Sequence, residues 1–182
     1  PISLYGATKL CEEKLMVQGN AYAGGRDTLF ACVRFGNILQ SRGSVIPLFR
    51  KQRETGKITV TDREMTRYWV TPRECAEFSL RCVEDMGGGE VFIPKIPSMK
   101  VTELVKVVAP DAKIEEVGIR SGEKLHEDLL SEAESRYTLE YDDRFVIQAD
   151  RRGREAETKK GGKPLPAGFS YTSDQNRSEE RR

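Results

Sequence analysis

The order of local signals along the chain predicts an α/β protein. Strand-like and helix-like segments alternate from end to end. Leu29-Phe30-Ala31-Cys32-Val33 is a short, unbroken apolar run, the pattern of a strand covered on both faces of a parallel sheet. Residues 71–86 carry a complete helix start followed by a single apolar stripe.

Residues 4–21 read as a helix, because Ala7, Lys9, Leu10, Glu12, Glu13, Lys14, Leu15 and Met16 are good helix formers and Gly24-Gly25 ends the segment. The apolar run within 28–35 follows as a strand, broken by Gly36-Asn37. Residues 44–55 resume a helical pattern that Gly56 stops. Ile58–Thr61 and Met65–Val70 are short strand candidates. The next helix opens with Thr71 as cap, Pro72 in the first helical position and Glu74 three residues after the cap. Cys75, Phe78, Ser79, Cys82, Val83 and Met86 then recur at helical spacing, and Gly87-Gly88-Gly89 closes it. Glu90–Ile93 is a strand, 102–108 a short helix stopped by Pro110, Ile114–Val117 a strand and Glu123–Leu130 a helix. Residues 136–148 are expected to form a hairpin or two edge strands. From Arg151 the chain turns basic and glycine-rich, the pattern of a solvated tail, with Phe169 and Tyr171 as residues that could dock back.

Composition narrows the function classes. The 182 residues suffice for one core, or for one domain plus part of another. Charged residues make up 32% of the chain, yet the net charge is only +1, which argues against nucleic-acid binding driven by overall charge. No apolar run reaches membrane-spanning length and no secretory signal opens the chain. Cys11, Cys32, Cys75 and Cys82 lack any CxxC spacing and read as reduced core residues of a cytoplasmic protein, with no metal site.

Tyr5 and Lys9 lie four residues apart on the first helix, so they share one face. An ammonium one turn from a phenol favours the phenolate. Such a pair can remove a proton from a hydroxyl while hydride leaves the same carbon, a form of assistance worth about 100- to 10,000-fold in rate. The spacing also occurs in helices that merely carry a surface tyrosine beside a solvated lysine. Here the small residues Gly6, Ala7 and Thr8 between the pair would allow a flat cofactor or a second helix to approach closely.

The segment Ser3-Leu4-Tyr5-Gly6-Ala7-Thr8-Lys9 resembles the Tyr-x-x-x-Lys helix of extended short-chain dehydrogenase/reductases. Further segments resemble one branch, the inverting UDP-N-acetylglucosamine 4,6-dehydratases of the pseudaminic acid type. They are Val33-Arg34-Phe35-Gly36-Asn37 with Ser41-Arg42-Gly43-Ser44-Val45-Ile46-Pro47; Met65-Thr66-Arg67-Tyr68-Trp69; Phe92 to Lys100; and Gly118-Ile119-Arg120-Ser121-Gly122-Glu123-Lys124-Leu125-His126-Glu127. The resemblance runs over roughly residues 1–148.

That resemblance implies the C-terminal part of a Rossmann-like parallel sheet plus a smaller α/β substrate-binding domain. Residues 1–44 would be the remnant of the NADP-binding domain, 45–148 mainly the UDP-sugar domain, and 149–182 a polar tail. Tyr5 and Lys9 would be the redox pair and touch NADP. Asn37, Ile38, Ser41, Arg42, Val45 and Thr61 would contact the UDP-sugar. Arg67 and Arg120 would face its diphosphate or ribose, and Glu123 the nucleotide ribose. Arginine forks suit phosphate oxygens, and a carboxylate can accept from two ribose hydroxyls. As residues, Asn37 could equally be a turn former, Arg120 and Glu123 could bond each other, and His126 and Trp69 read as structural.

The implied activity is a hydro-lyase: oxidation at C4, loss of water across C5 and C6, and reduction at C6 with inversion at C5, for surface polysaccharide or flagellin glycosylation. A homo-oligomer without membrane or nucleic-acid partners is implied. Alternatives are a nucleotide-sugar 4-epimerase and a non-catalytic UDP-sugar-binding module. No Gly-x-Gly-x-x-Gly turn occurs. The family's Thr-Asp-Lys segment precedes the tyrosine, and the chain opens at Pro1, after that point. It is therefore expected to be a C-terminal fragment, inactive alone.

Overall fold

The computed structural model describes residues 1–24, 27–41, 44–149 and 161–175. Its first helix, α1 (Leu4–Tyr22), starts where Ser3 accepts the Gly6 N–H on its side chain. The chain then enters β1 (Cys32–Val33), which runs parallel to β5 (Val91–Pro94). Antiparallel to β5 lies β10 (Arg144–Ile147), which forms a hairpin with β9 (Thr138–Glu140); β11 (Lys163–Pro164) completes the edge of this five-stranded sheet. A three-stranded sheet places β4 (Thr66–Val70) between a parallel β2 (Asn37–Ile38) and an antiparallel β6 (Ser98–Lys100). Two pairs remain: β3 (Lys57–Val60) parallel to β7 (Lys113–Glu116), and β8 (Asp128–Leu130) antiparallel to β12 (Tyr171–Thr172). The other helices are α2 (Val45–Arg53), α3 (Pro72–Asp85), α4 (Val101–Val108) and the single turn α5 (Glu132–Ser135).

Three apolar clusters hold these layers together. One gathers Ile46 and Phe49 of α2, Ile58 and Val60 of β3, Trp69 of β4 and Leu104 and Val105 of α4. A second joins Tyr68, Ile93, Phe145, Leu130, Leu165 and Tyr171. In the third, Phe78 and Cys82 of α3 pack on Phe92 and Val146. Neighbours along a strand face opposite ways, so Phe92 meets α3 while Ile93 meets the second cluster. That two-sided cover explains why all four residues of β5 are buried with no polar alternation.

The α/β class, the capped helix at 72–85 with its reciprocal Thr71–Glu74 box, and the hairpin within 136–148 all stand as the sequence predicts. Three expectations are corrected. The apolar run of 28–35 supplies two strand residues, half-buried, whose backbone bonds to the β5 side run from Phe30 to Arg34 and which, among the described residues, pair on one side only. Residues 123–130 form no helix. The carbonyls of Lys124 and Leu125, which a helix would direct at N–H groups four residues on, accept instead from the Arg67 guanidinium and the Thr66 amide, and 128–130 becomes β8. Residues 161–175 are not the solvated tail expected, although the docking back expected of Phe169 and Tyr171 holds, both packing in the second cluster. Leu165, Tyr171 and Ser173 are buried, and Tyr171 stacks on Tyr68 and Phe145 at 5.0 Å each. The basic stretch 151–160 lies outside the described residues.

Candidate functional site

The residues singled out by sequence fall on four elements: the N-terminal half of α1, the β2–α2 loop, the β3–β4 segment and the loop 118–127. Helix α1 buries none of its side chains. Tyr5 is 73% exposed, and Leu4, Leu15, Met16 and Tyr22 are exposed beside it. The Lys9 ammonium donates to Glu12 at 2.7 Å, and that bond, with the Glu12 charge behind it, holds the lysine pKa above its ordinary value. Tyr5 and Lys9 thus stand on a helix surface uncovered by the rest of the described chain.

Polar ties fix α1. Arg34, just past β1, donates from Nη2 to Glu13 of α1 at 2.8 Å and to Glu134 of α5 at 2.6 Å, and from Nη1 to the Leu129 carbonyl at 3.0 Å. Nε completes the fork on Glu13. Burial acts against the Arg34 charge, but the two carboxylates outweigh it and raise its pKa. Burial likewise raises Glu134, and the Arg34 hydrogen bonds and charge overcome that, lowering its pKa to about 2. Toward the helix end, the Asn20 amide accepts from the Phe30 N–H and donates to the Phe30 carbonyl, both at 2.9 Å. Sequence reasoning quoted Arg34 within a motif but gave it no role. An arginine directly after an apolar strand was the available signal.

Asn37 is exposed and pairs in parallel with Trp69, while Ile38 pairs with Val70 and packs on the second cluster. Gly36 must be glycine at this crossing, because an added methyl would collide with Tyr68 Cβ and reach 3.3 Å from Ile96 Cδ1. Ser41 caps the turn into α2 by accepting the Ser44 N–H at 2.9 Å. Val45 opens α2, and Ser44 at its N-cap makes no side-chain capping bond; the Ser44 hydroxyl is buried without a partner among the described residues. Of the first three helical positions only Val45 and Ile46 carry an amide N–H, because the third is Pro47. Arg42 lies outside the described residues. Thr61, half-buried, follows β3. Trp69 is packed in the α2–α4 cluster, as expected.

Loop 118–127 links these parts. Gly122 has a φ of +84°, and a methyl there would stand 3.5 Å from Ser3 Cβ, so the loop rests on the N-cap of α1, two residues before Tyr5. Arg120 and Glu123 close a turn on each other: the Glu123 N–H donates to the Arg120 carbonyl at 3.0 Å, and the Arg120 N–H donates to the Glu123 carboxylate at 3.1 Å. The Arg120 side chain remains exposed. Arg67, expected to face phosphate, directs its guanidinium at the carbonyls of Thr66, Lys124 and Leu125 at 2.7, 2.7 and 3.0 Å, with Glu127 3.4 Å away. Burial lowers its pKa from the ordinary value, opposed by Glu127 and Glu123. His126 is structural here, with Nδ1 2.8 Å from the Thr66 hydroxyl.

Residues 1–149 match the family described as polysaccharide biosynthesis protein. The chain is 42% identical to a UDP-N-acetylglucosamine 4,6-dehydratase (inverting) of Campylobacter jejuni over 97% of its own length and 55% of that protein. It is 31% identical to a UDP-glucose 4-epimerase of Rickettsia canadensis, covering 97% of this chain and 54% of the relative. Among solved structures, that of Pen from Bacillus thuringiensis is 36% identical and superposes with a TM-score of 0.84 over 100% of this chain and 56% of its own. The chain spans about half the length of the relatives it matches. Among the described residues, no helix is long and apolar enough to cross a membrane.

Proposed function

We propose, for a chain that belongs to the polysaccharide biosynthesis protein family, that it forms the C-terminal half of a UDP-N-acetylglucosamine 4,6-dehydratase that inverts C5, a hydro-lyase. The observation that carries this reading is the 42% identity, over nearly the whole chain, to the C. jejuni dehydratase. The Rossmann-like α/β architecture and the placement of Tyr5 and Lys9 support it.

The open face of α1 fits a nicotinamide cofactor, for which NADP is our choice. A phenol and an ammonium stand there one turn apart, and among the described residues no apolar neighbour covers them. When bound, the cofactor takes up and returns hydride. Tyr5 accepts the proton of the sugar C4 hydroxyl, and Lys9 holds the ribose and stabilises the phenolate. The ketone formed at C4 makes the C5 proton acidic, which lets water leave across C5 and C6. The uncapped start of α2, with Ser41, Arg42 and Val45, suits the diphosphate. Asn37, Ile38 and Thr61 border the sugar, and Arg120 and Glu123 address the nucleotide. Arg67 supports that last group through the carbonyls it holds. We assign residues 1–44 to the cofactor-binding domain and 45–148 mainly to the substrate domain of a self-associating, cytoplasmic enzyme.

A second reading, a 4-epimerase, is favoured by the Rickettsia relative at 31% identity. Incubating the full-length protein with UDP-N-acetylglucosamine and NADP separates the two. A 4-keto-6-deoxy product is expected, and a simple 4-epimer would overturn the dehydratase reading.

A further inference from the structure

We infer that Ser173, 50 residues beyond Glu123, is a positioning residue that sets the nucleotide-facing loop through Glu127 and His126. This rests on the reading above, in which Arg120 and Glu123 address the nucleotide.

Ser173 is fully buried, and every polar atom it owns is engaged. Its N–H donates to the Glu127 carbonyl and its Oγ accepts the Glu127 N–H, both at 2.9 Å. Its carbonyl accepts the Ser98 hydroxyl of β6 at 2.6 Å. Its hydroxyl donates to the Thr66 carbonyl at 3.2 Å and lies 2.7 Å from the Thr66 hydroxyl. That hydroxyl lies 2.8 Å from His126 Nδ1. Each hydroxyl has one proton, so one arrangement satisfies all three contacts. Ser173 donates to the Thr66 carbonyl, Thr66 donates to Ser173 Oγ, and His126 donates from Nδ1 to Thr66. The chain of donors thus runs from the loop, through β4, into the C-terminal segment. The segment itself is pinned nearby: the Tyr171 hydroxyl donates to the Ile96 carbonyl and accepts the Ile96 N–H, each at 3.0 Å.

With Arg67 and Thr66 holding Lys124 and Leu125, residues 124 to 127 are tied one after another, His126 through its side chain. Residues 118–123 extend from this fixed stem to the Ser3 end of α1. Where Arg120 and Glu123 stand therefore depends on the stem, and the stem depends on a residue that approaches no part of the proposed ligand site. Local sequence rules could not find it, since the partners lie 46 and 107 residues apart.

The test uses the full-length protein, with UDP affinity measured by titration calorimetry and KM and kcat measured with UDP-N-acetylglucosamine. Ser173→Ala and His126→Ala should each raise the UDP Kd and the KM about five- to tenfold, the worth of one or two buried hydrogen bonds, with kcat within about twofold. His126→Asn, whose amide can replace the Nδ1 donor, should restore affinity close to that of the parent. Phe78→Leu in the distant α3 core lowers the melting temperature without touching the loop and should leave KM unchanged. The inference is overturned if the parent binds UDP and both alanine variants bind it equally well, or if Phe78→Leu raises KM as much as they do. A parent that fails to bind UDP would remove the proposed function, and Ser173's role toward a nucleotide with it.

Discussion

Helix α3 buries Cys75, Phe78 and Cys82 and closes its start with a reciprocal capping box, whereas α1, with 19 residues against 14, buries none. Leu4, Leu15, Met16 and Tyr22 are exposed, so among the described residues, in a chain that spans about half the length of its relatives, α1 is not anchored by its apolar side chains. It is anchored by Arg34 on Glu13 and by Asn20 on Phe30, both polar. A helix seated by burial of apolar area gains about 2 kcal/mol from a side chain such as Phe78 and tolerates small shifts. A helix seated by a forked ion pair is fixed in direction at a few atoms while its remaining surface stays open.

The contrast has measurable consequences. The largest concerns chemistry: Tyr5→Phe in the full-length protein should lower turnover about 100- to 10,000-fold while UDP affinity stays unchanged. Near-normal turnover would mean that the open face of α1 has no part in the reaction. Next comes Phe78→Ala, which should destabilise the whole fold by about 3–5 kcal/mol in urea unfolding, since α3 depends on its core contacts. Arg34→Ala strands two mostly buried carboxylates and should cost about 3 kcal/mol. Its signature should be local, with faster amide exchange across α1 and little change in α3. Equal acceleration in both helices would show that α1 is held by something other than the fork.

The smallest effect is on pH dependence. Glu134 titrates near 2 in the fold, below the ordinary carboxylate value of 4.5, so its pairing with Arg34 stabilises the protein above the unfolded pKa. That contribution should fade as pH falls from about 4.5 toward about 2, while Glu134→Gln should flatten the acid limb of a melting-temperature profile. A profile identical to the parent's would mean that the ion pair adds nothing to stability.

Much of the fold could be read from the chain because its rules act over a few residues. Thr71, Pro72 and Glu74 start α3 by contacts within one turn, and the spacing of Phe78 and Cys82 defines which face is buried. The site was legible only as a set of residue types: Tyr5 and Lys9 from spacing, the remainder from resemblance. How those residues are held was not legible. Arg67 looked like a phosphate ligand, yet its donors meet carbonyls 57 and 58 residues away. Residues 123–130 have helical composition, but the Lys124 and Leu125 carbonyls are taken by Thr66 and Arg67 of β4.

The sequence was enough to fix the starts of α1 and α3, the apolar face of α3, the α/β class and a phenol one turn from an ammonium. The folded chain alone settles which distant partners satisfy Arg34, Arg67, His126 and Ser173, and so where α1 and loop 118–127 meet. The reason lies in the range of the forces. Caps and stripes are set by backbone geometry within a turn or two, whereas a buried polar group takes whichever partner chain closure brings within about 3 Å, and no local period records that choice.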